Sequence, residues 1–160
     1  MRVLKFILVL TFCWTSLVAQ VDRLSGPRFG VTVLSSSEFL DQPVITQYGW
    51  QLETRFFGGD ESTVVGLVEW VALIGGMESG YFLPSLTSLV GVRNSGGFEF
   101  GVGPNISLAG VGMAFSIGGN LKSGNLNFPI NFAFVPPSNS IFFGETGSRF
   151  SIMLGFNMKR

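Results

Sequence analysis

Arg149-Phe150-Ser151-Ile152-Met153-Leu154-Gly155-Phe156-Asn157-Met158 places a large apolar side chain at every second position. Phe150, Ile152, Leu154, Phe156 and Met158 fall on one side. Ser151, Met153, Gly155 and Asn157 fall on the other, and Lys159 continues that side. A period of two is the mark of a strand with one greasy face. One such strand is unstable alone and needs neighbours along its edges.

Seven earlier stretches offer comparable patterns. The first runs from Arg28 to Leu34, after a polar lead-in over Val21 to Gly26, and alternates Phe29, Val31 and Val33 with Arg28, Gly30 and Thr32. The second, Ile45 to Phe57, sets Tyr48, Trp50, Leu52 and Phe56 against Gly49, Gln51, Glu53 and Arg55. Val64 to Ile74 is apolar on both faces and contains Glu69. A buried helix is the competing reading there, but β-branched residues, Gly66 and the Gly75-Gly76 stop favour a strand. The fourth strand is expected over Tyr81 to Arg93, with Pro84 near its start, where a missing donor does least harm. The fifth covers Phe98 to Gly103 and the sixth Ala109 to Leu121, with Pro104 to Leu108 as a short loop between them. The seventh covers Leu126 to Phe134 after a two-residue turn at Ser123-Gly124. Pro136 to Thr146 is the longest loop.

The two faces differ in the same way in nearly every strand: Phe, Val, Leu and Ile on one, Gly, Ser, Asn, Gln, Glu and Arg on the other. A soluble barrel would have to bury Trp50 and a long series of Phe rings in one narrow core. An eight-stranded lumen is only wide enough for side chains to fill, which suits the small and polar face. The expected fold is therefore all-β, an eight-stranded antiparallel up-and-down transmembrane β-barrel with its greasy face outward. Strands of about 8–13 residues satisfy a tilted crossing of about 9–11. Aromatic residues are expected in two girdles, with Tyr48, Trp50, Tyr81, Phe82, Phe134 and Phe150 towards the outer rim. Phe29, Phe56, Phe98, Phe128 and Phe156 are assigned to the inner one.

Composition agrees. The 160 residues include 17 Phe, 14 % are aromatic, and mean hydropathy is +0.45. Residues 1–19 carry Arg2 and Lys5, an apolar run from Phe6 to Trp14, and the ending Leu17-Val18-Ala19. That layout predicts a secretory signal cleaved after Ala19, leaving residues 20–160 as one barrel domain. Cys13, the single cysteine, lies within the signal, so the mature chain has no disulfide. Removing Arg2 and Lys5 leaves 8 basic against 10 acidic residues, a balance of −2 without a basic patch, which argues against nucleic acid as a partner.

On these residues the chain resembles the small eight-stranded bacterial outer-membrane barrels, the OmpA/OmpX-type group. The resemblance covers about Arg28 to Met158 and is one of pattern. Gly147-Ser148-Arg149-Phe150-Ser151-Ile152 is similar to the glycine–aromatic–apolar signal that barrel-assembly machinery reads in last strands, though this chain continues to Lys159-Arg160 where that signal ends on an aromatic. The resemblance implies residence in the bacterial outer membrane, outer-membrane lipids and assembly machinery as partners, and a monomer.

The chain has no histidine. Barrel-embedded hydrolases and acyltransferases generally use a histidine base, so no enzyme activity, no metal and no cofactor are expected. Glu53, Glu69 and Glu99 could form a carboxylate pair, but ion-paired filling of the lumen is the favoured reading. Closing Asn94 to Phe98 as a hairpin with a three-residue Ser95-Gly96-Gly97 loop sets Arg93 opposite Glu99, both inward. Arg28, Glu53 and Arg55 should lie at similar depth. Buried charges persist only when paired, so Arg28, Glu53, Arg55, Arg93 and Glu99 are expected to form one network plugging the lumen. Three functions fit: a non-enzymatic outer-membrane protein serving envelope structure, adhesion or interaction through its loops; a narrow channel or conduit for lipid or a small ligand; and a secreted soluble barrel holding a hydrophobic ligand.

Overall fold

The alternating stretches all become strand: β1 (Arg23–Leu34), β2 (Val44–Phe57), β3 (Val64–Gly75), β4 (Leu83–Asn94), β5 (Phe98–Ser107), β6 (Gly110–Ser123) and β7 (Leu126–Val135). Two short strands follow, β8 (Ser138–Ser140) and β9 (Gly144–Thr146), then β10 (Arg149–Gly155) and β11 (Asn157–Lys159). The computed structural model describes residues 23–36, 43–58, 62–124, 126–140 and 144–159. The expected signal at 1–19, Glu38 and Asp41 of the first loop, and Phe142 and Phe143 of the last lie outside the described residues.

Each long strand pairs antiparallel with the next, from β1 through β7. β10 and β11 then bond to β7 on one edge and to β1 on the other, which closes the ring. They keep a single register, with Arg28 facing Gly155 and Leu24 facing Lys159, so together they form an eighth strand nicked at Phe156. The fold is a closed eight-stranded antiparallel barrel. Closure leaves the ring of long strands without an exposed edge, which an open sheet cannot do in lipid.

The sides divide as the alternation requires. Phe132 is 53 % exposed on the outside, while its neighbour Asn131, 8 % exposed, points into the lumen. Tyr48, Trp50, Leu52, Phe100, Phe115, Ile152 and Leu154 join Phe132 outside. Gln51, Glu53, Arg93, Glu99, Ser116 and Asn157 are buried inside. An apolar exterior around a polar interior is the distribution of a membrane-spanning barrel. Val64–Gly75 is strand, with Leu67 and Glu69 inward and Trp70 outward.

Several boundaries differ from expectation, each for a local reason. β1 starts at Arg23, because Arg23 to Pro27 has a bonding partner in β2 and Leu24 and Ser25 a second in β11. Gly26 fits this double contact only without a side chain, since an added Cβ would lie 1.5 Å from the Phe156 carbonyl oxygen. β5 runs on through Pro104 to Ser107, leaving Leu108-Ala109 as the connection. The β4–β5 pairing skips the step between Thr87–Asn105 and Val90–Val102, where Pro104 has no N–H to give. Ser123 pairs with Leu126, which moves the tight turn one residue on and gives Gly124 a φ of 60°. The last long loop carries the β8–β9 hairpin.

The longer β1 also changes the aromatic belts. Phe29 lies directly across from Tyr48, so these two share one depth instead of marking opposite rims. Phe156 packs edge-on against Phe29 and Phe128, with ring centroids 5.8 and 5.2 Å apart. Phe134 and Phe150 meet at 4.9 Å, one residue from the outer ends of β7 and β10.

Candidate functional site: the barrel lumen

The β4–β5 hairpin takes the register its sequence calls for. Gly97 N–H donates to the Asn94 carbonyl at 3.0 Å and Gly97 adopts a φ of 87°. The Asn94 side chain accepts the Phe98 N–H, also at 3.0 Å. Arg93 therefore faces Glu99, and both point inward. Arg93 Nε donates to Glu99 Oε2 at 2.8 Å. Its two terminal nitrogens grip Glu53 from β2 in a bidentate fork, 2.7 Å on each arm. Paired, charge-assisted contacts of this kind are the strong ones. Glu53 is 1 % exposed and Arg93 4 %, so the pair is sealed from water.

Arg55 is more open, with Nε 3.7 Å from Glu53. Arg28 stands apart. β1 places it across from Gly49, while Glu53 lies across from Leu24, four residues towards the inner end, the end of the barrel at which β1 begins. The expectation of equal depth rested on a strand starting at Arg28. With β1 beginning at Arg23, Arg28 rises above the cluster and gives one N–H to the Pro129 carbonyl at 3.2 Å. The structure thus brings Glu53, Arg55, Arg93 and Glu99 into contact and leaves Arg28 without a direct carboxylate among the described residues.

Three residues outside the expected five complete the cluster. Glu69 lies 3.8 Å from Arg93 and accepts from Gln51 at 2.8 Å. Asn131 donates to the second oxygen of Glu99. Glu69 was visible as the one charge in an apolar strand, and period two alone sets it on the lumen face with Leu67. Gln51 and Asn131 carried no signal beyond their inward parity. Nearer the inner end, Asn120 donates to Asn127 at 3.3 Å, and Asn157 faces Asn127 with no exposed surface.

The outer half of the lumen is built differently. β6 offers only Gly110, Gly112, Ala114 and Ser116 inward. A cavity of about 170 Å³ opens there, walled by Ile45, Val71, Leu89, Ala114, Val135 and Met153. Arg28, Gln51, Glu69 and Asn131 line its polar part. Above it the β8–β9 hairpin is bound to the β5–β6 turn: Ser138 and Thr146 hydroxyls both donate to the Ala109 carbonyl at 2.9 Å, and Ser140 to that of Leu108 at 2.5 Å. Beside the barrel mouth, a single 3-10 turn, Met77–Ser79, turns Glu78 back onto β2. Its carboxylate accepts Thr46 N–H at 2.6 Å and Thr46 Oγ1–H at 2.5 Å, and these bonds hold its pKa below the ordinary Glu value.

No protein-family model and no curated protein matches the chain. Among solved structures it is similar to Ail, the attachment invasion locus protein of Yersinia pestis, in complex with the heparin analogue sucrose octasulfate. That match has 13 % identity over 88 % of this chain and 97 % of the other, with a TM-score of 0.36. Another structure of Ail matches at 12 % identity over the same shares, with a TM-score of 0.31. Similarity this distant assigns the chain no activity, and the fold rests on the chain's own bonded ring. Eight closed antiparallel strands, greasy outside and filled inside, are the architecture of the small outer-membrane barrels, the OmpA/OmpX-type group.

Proposed function

We propose that the protein is a non-enzymatic component of a bacterial outer membrane, a closed barrel that anchors and presents its outer connections for envelope structure, adhesion or interaction. The observation that carries this reading is the Arg93 fork on Glu53, with Glu99 as third member, which fills the lumen at the inner end. A barrel stopped by mutually bonded charges is suited to standing in a membrane and poorly suited to passing solutes through it. The outer connections support the presenting role, since the β8–β9 hairpin and the Glu78 turn are both tied down by hydrogen bonds. The outer leaflet lipids would surround the apolar belt as neighbours of a monomer, with assembly machinery needed for insertion. Cell fractionation tests the location: the protein should partition with outer membranes and show heat-modifiable gel mobility. Planar bilayers test the closure, where no steady conductance is expected. Recovery as a soluble periplasmic protein, or a steady open current, overturns the proposal.

A further inference from the structure

The inward charges do not balance evenly along the barrel. Over the inner and middle lumen together, the acids Glu53, Glu69 and Glu99 are matched in number by Arg93, Arg55 and Arg28, although Arg28 lies above the cluster and makes no ion pair with them. Arg149, at the outer start of β10, is the further inward cation, and no carboxylate lies within ion-pair distance of it among the described residues. It is 8 % exposed. One terminal nitrogen donates to Ser107 on β5 at 2.6 Å, so the side chain reaches across the mouth over the space left by Gly112. Its Nε and other terminal nitrogen are buried without a hydrogen-bond partner among the described residues, and it lines the outer cavity. Arg28, on the polar part of the same cavity, also has one buried terminal nitrogen without a partner among the described residues. A buried guanidinium left with free N–H groups is costly and calls for an acceptor, best an anionic one. Glu145 also lines the cavity, but it is exposed on the hairpin and forms no ion pair with Arg149.

We propose that the outer half of the lumen is a binding site for a small amphipathic monoanion, a carboxylate with an apolar body of about benzene size. The carboxylate takes the two free N–H groups of Arg149, a planar fork that fits it. The apolar body rests among Ile45, Leu89, Ala114, Val135 and Met153. Size supports the match: cavities of about 150 Å³ with apolar walls accept benzene, and this one measures about 170 Å³. Arg28 and Asn131 at the polar part favour a polar substituent at the far end of the body. The site is independent of the presenting role, because a sealed inner end makes a cup, and a cup can be filled in a barrel that conducts nothing.

The test is a fluorine-NMR titration of the full barrel in lipid nanodiscs with 4-fluorobenzoate. Saturable binding is expected. Fluorobenzene, of the same shape without charge, should bind about tenfold or more weakly, as loss of a charge-assisted bond implies. Arg149→Met should weaken 4-fluorobenzoate by a similar factor, and Ala114→Phe, which fills the cavity and keeps Arg149, should abolish binding. Heat-modifiable mobility checks that each variant is folded, and either folded variant suffices. No saturable binding, equal binding of the neutral probe, or binding untouched by a folded variant overturns the proposal. A failure here leaves fractionation and conductance results unchanged.

Discussion

The two halves of the lumen are built on the same strands and the same inward parity, yet they hold different chemistry. At the inner half the inward positions carry long charged side chains that meet in the middle and satisfy one another. At the outer half β6 carries glycine, alanine and serine, and Ile45, Val71, Leu89, Val135 and Met153 are of medium size, which leaves space below the arm of Arg149. Barrel geometry fixes the radius, so the length of the inward side chains decides whether a level is plugged or hollow. One arginine on each level shows the contrast: Arg93 has carboxylates on three sides, while among the described residues Arg149 has one serine hydroxyl.

The contrast breaks most visibly at Arg93. Arg93→Ala leaves three carboxylates buried around an empty centre, and a loss of about 3–5 kcal/mol is expected in urea unfolding from micelles. The Arg93→Ala and Glu99→Ala pair should be non-additive by more than about 1 kcal/mol, since the two touch directly. Additive losses would show that the inner half is a set of separate charges and no plug.

The next effect separates inside from outside. Phe132→Arg should cost about 2–4 kcal/mol of folding into bilayers, as an arginine near mid-membrane does. Asn131→Ala, one residue away and inward, should cost about 1–3 kcal/mol, because it deprives Glu99 of a buried partner. If Asn131 labels from lipid and Phe132 does not, the sheet faces the other way. Smaller still is Glu69→Gln, expected at about 1 kcal/mol or below, because the amide oxygen still accepts from Gln51 and the Arg93 contact is long. A loss as large as that of Arg93→Ala would make Glu69 a full member of the plug.

The weakest effect lies outside the lumen. The Thr46 bonds depress the Glu78 pKa, so their contribution is present above the ordinary Glu range and fades as pH falls through the depressed value. NMR titration should give Glu78 a lower midpoint than it has in Thr46→Val. Equal midpoints would show that the hydroxyl bond contributes nothing.

Most of the barrel was legible because period two is a strong signal wherever one face is uniform. It read the sidedness of Trp50, Phe115 and Phe132, while the strand character of Val64 to Ile74, apolar on both faces, was legible from its β-branched residues and the Gly75-Gly76 stop. It failed where a strand is held by its neighbours instead of by its own pattern: Arg23 to Pro27 is polar and glycine-containing, and it is strand because β2 and β11 flank it. The same boundary displaces Arg28 and Phe29, whose expected depth assumes a strand that starts at Arg28. The Arg93–Glu99 contact was readable because a three-residue glycine loop sets a local register. The fork on Glu53 and the isolation of Arg149 depend on strands far apart in sequence, and no local rule reports them.

Closure by the final strand has a kinetic consequence. Arg28 lies across from Gly155, so the pairing that completes the ring joins β1 to β10, more than a hundred residues further along the chain. Contacts of such separation form slowly, because the entropy of bringing the ends together is lost before any bond compensates it. Until then β1 and β7 each keep a raw hydrogen-bonding edge beside a band of exposed Phe, Trp and Leu. That is the profile of a chain that clumps in water. The closing strands β10 and β11 are therefore the slow step and the safeguard together: removing them should convert the closed barrel into an aggregation-prone open sheet, however intact the first seven strands.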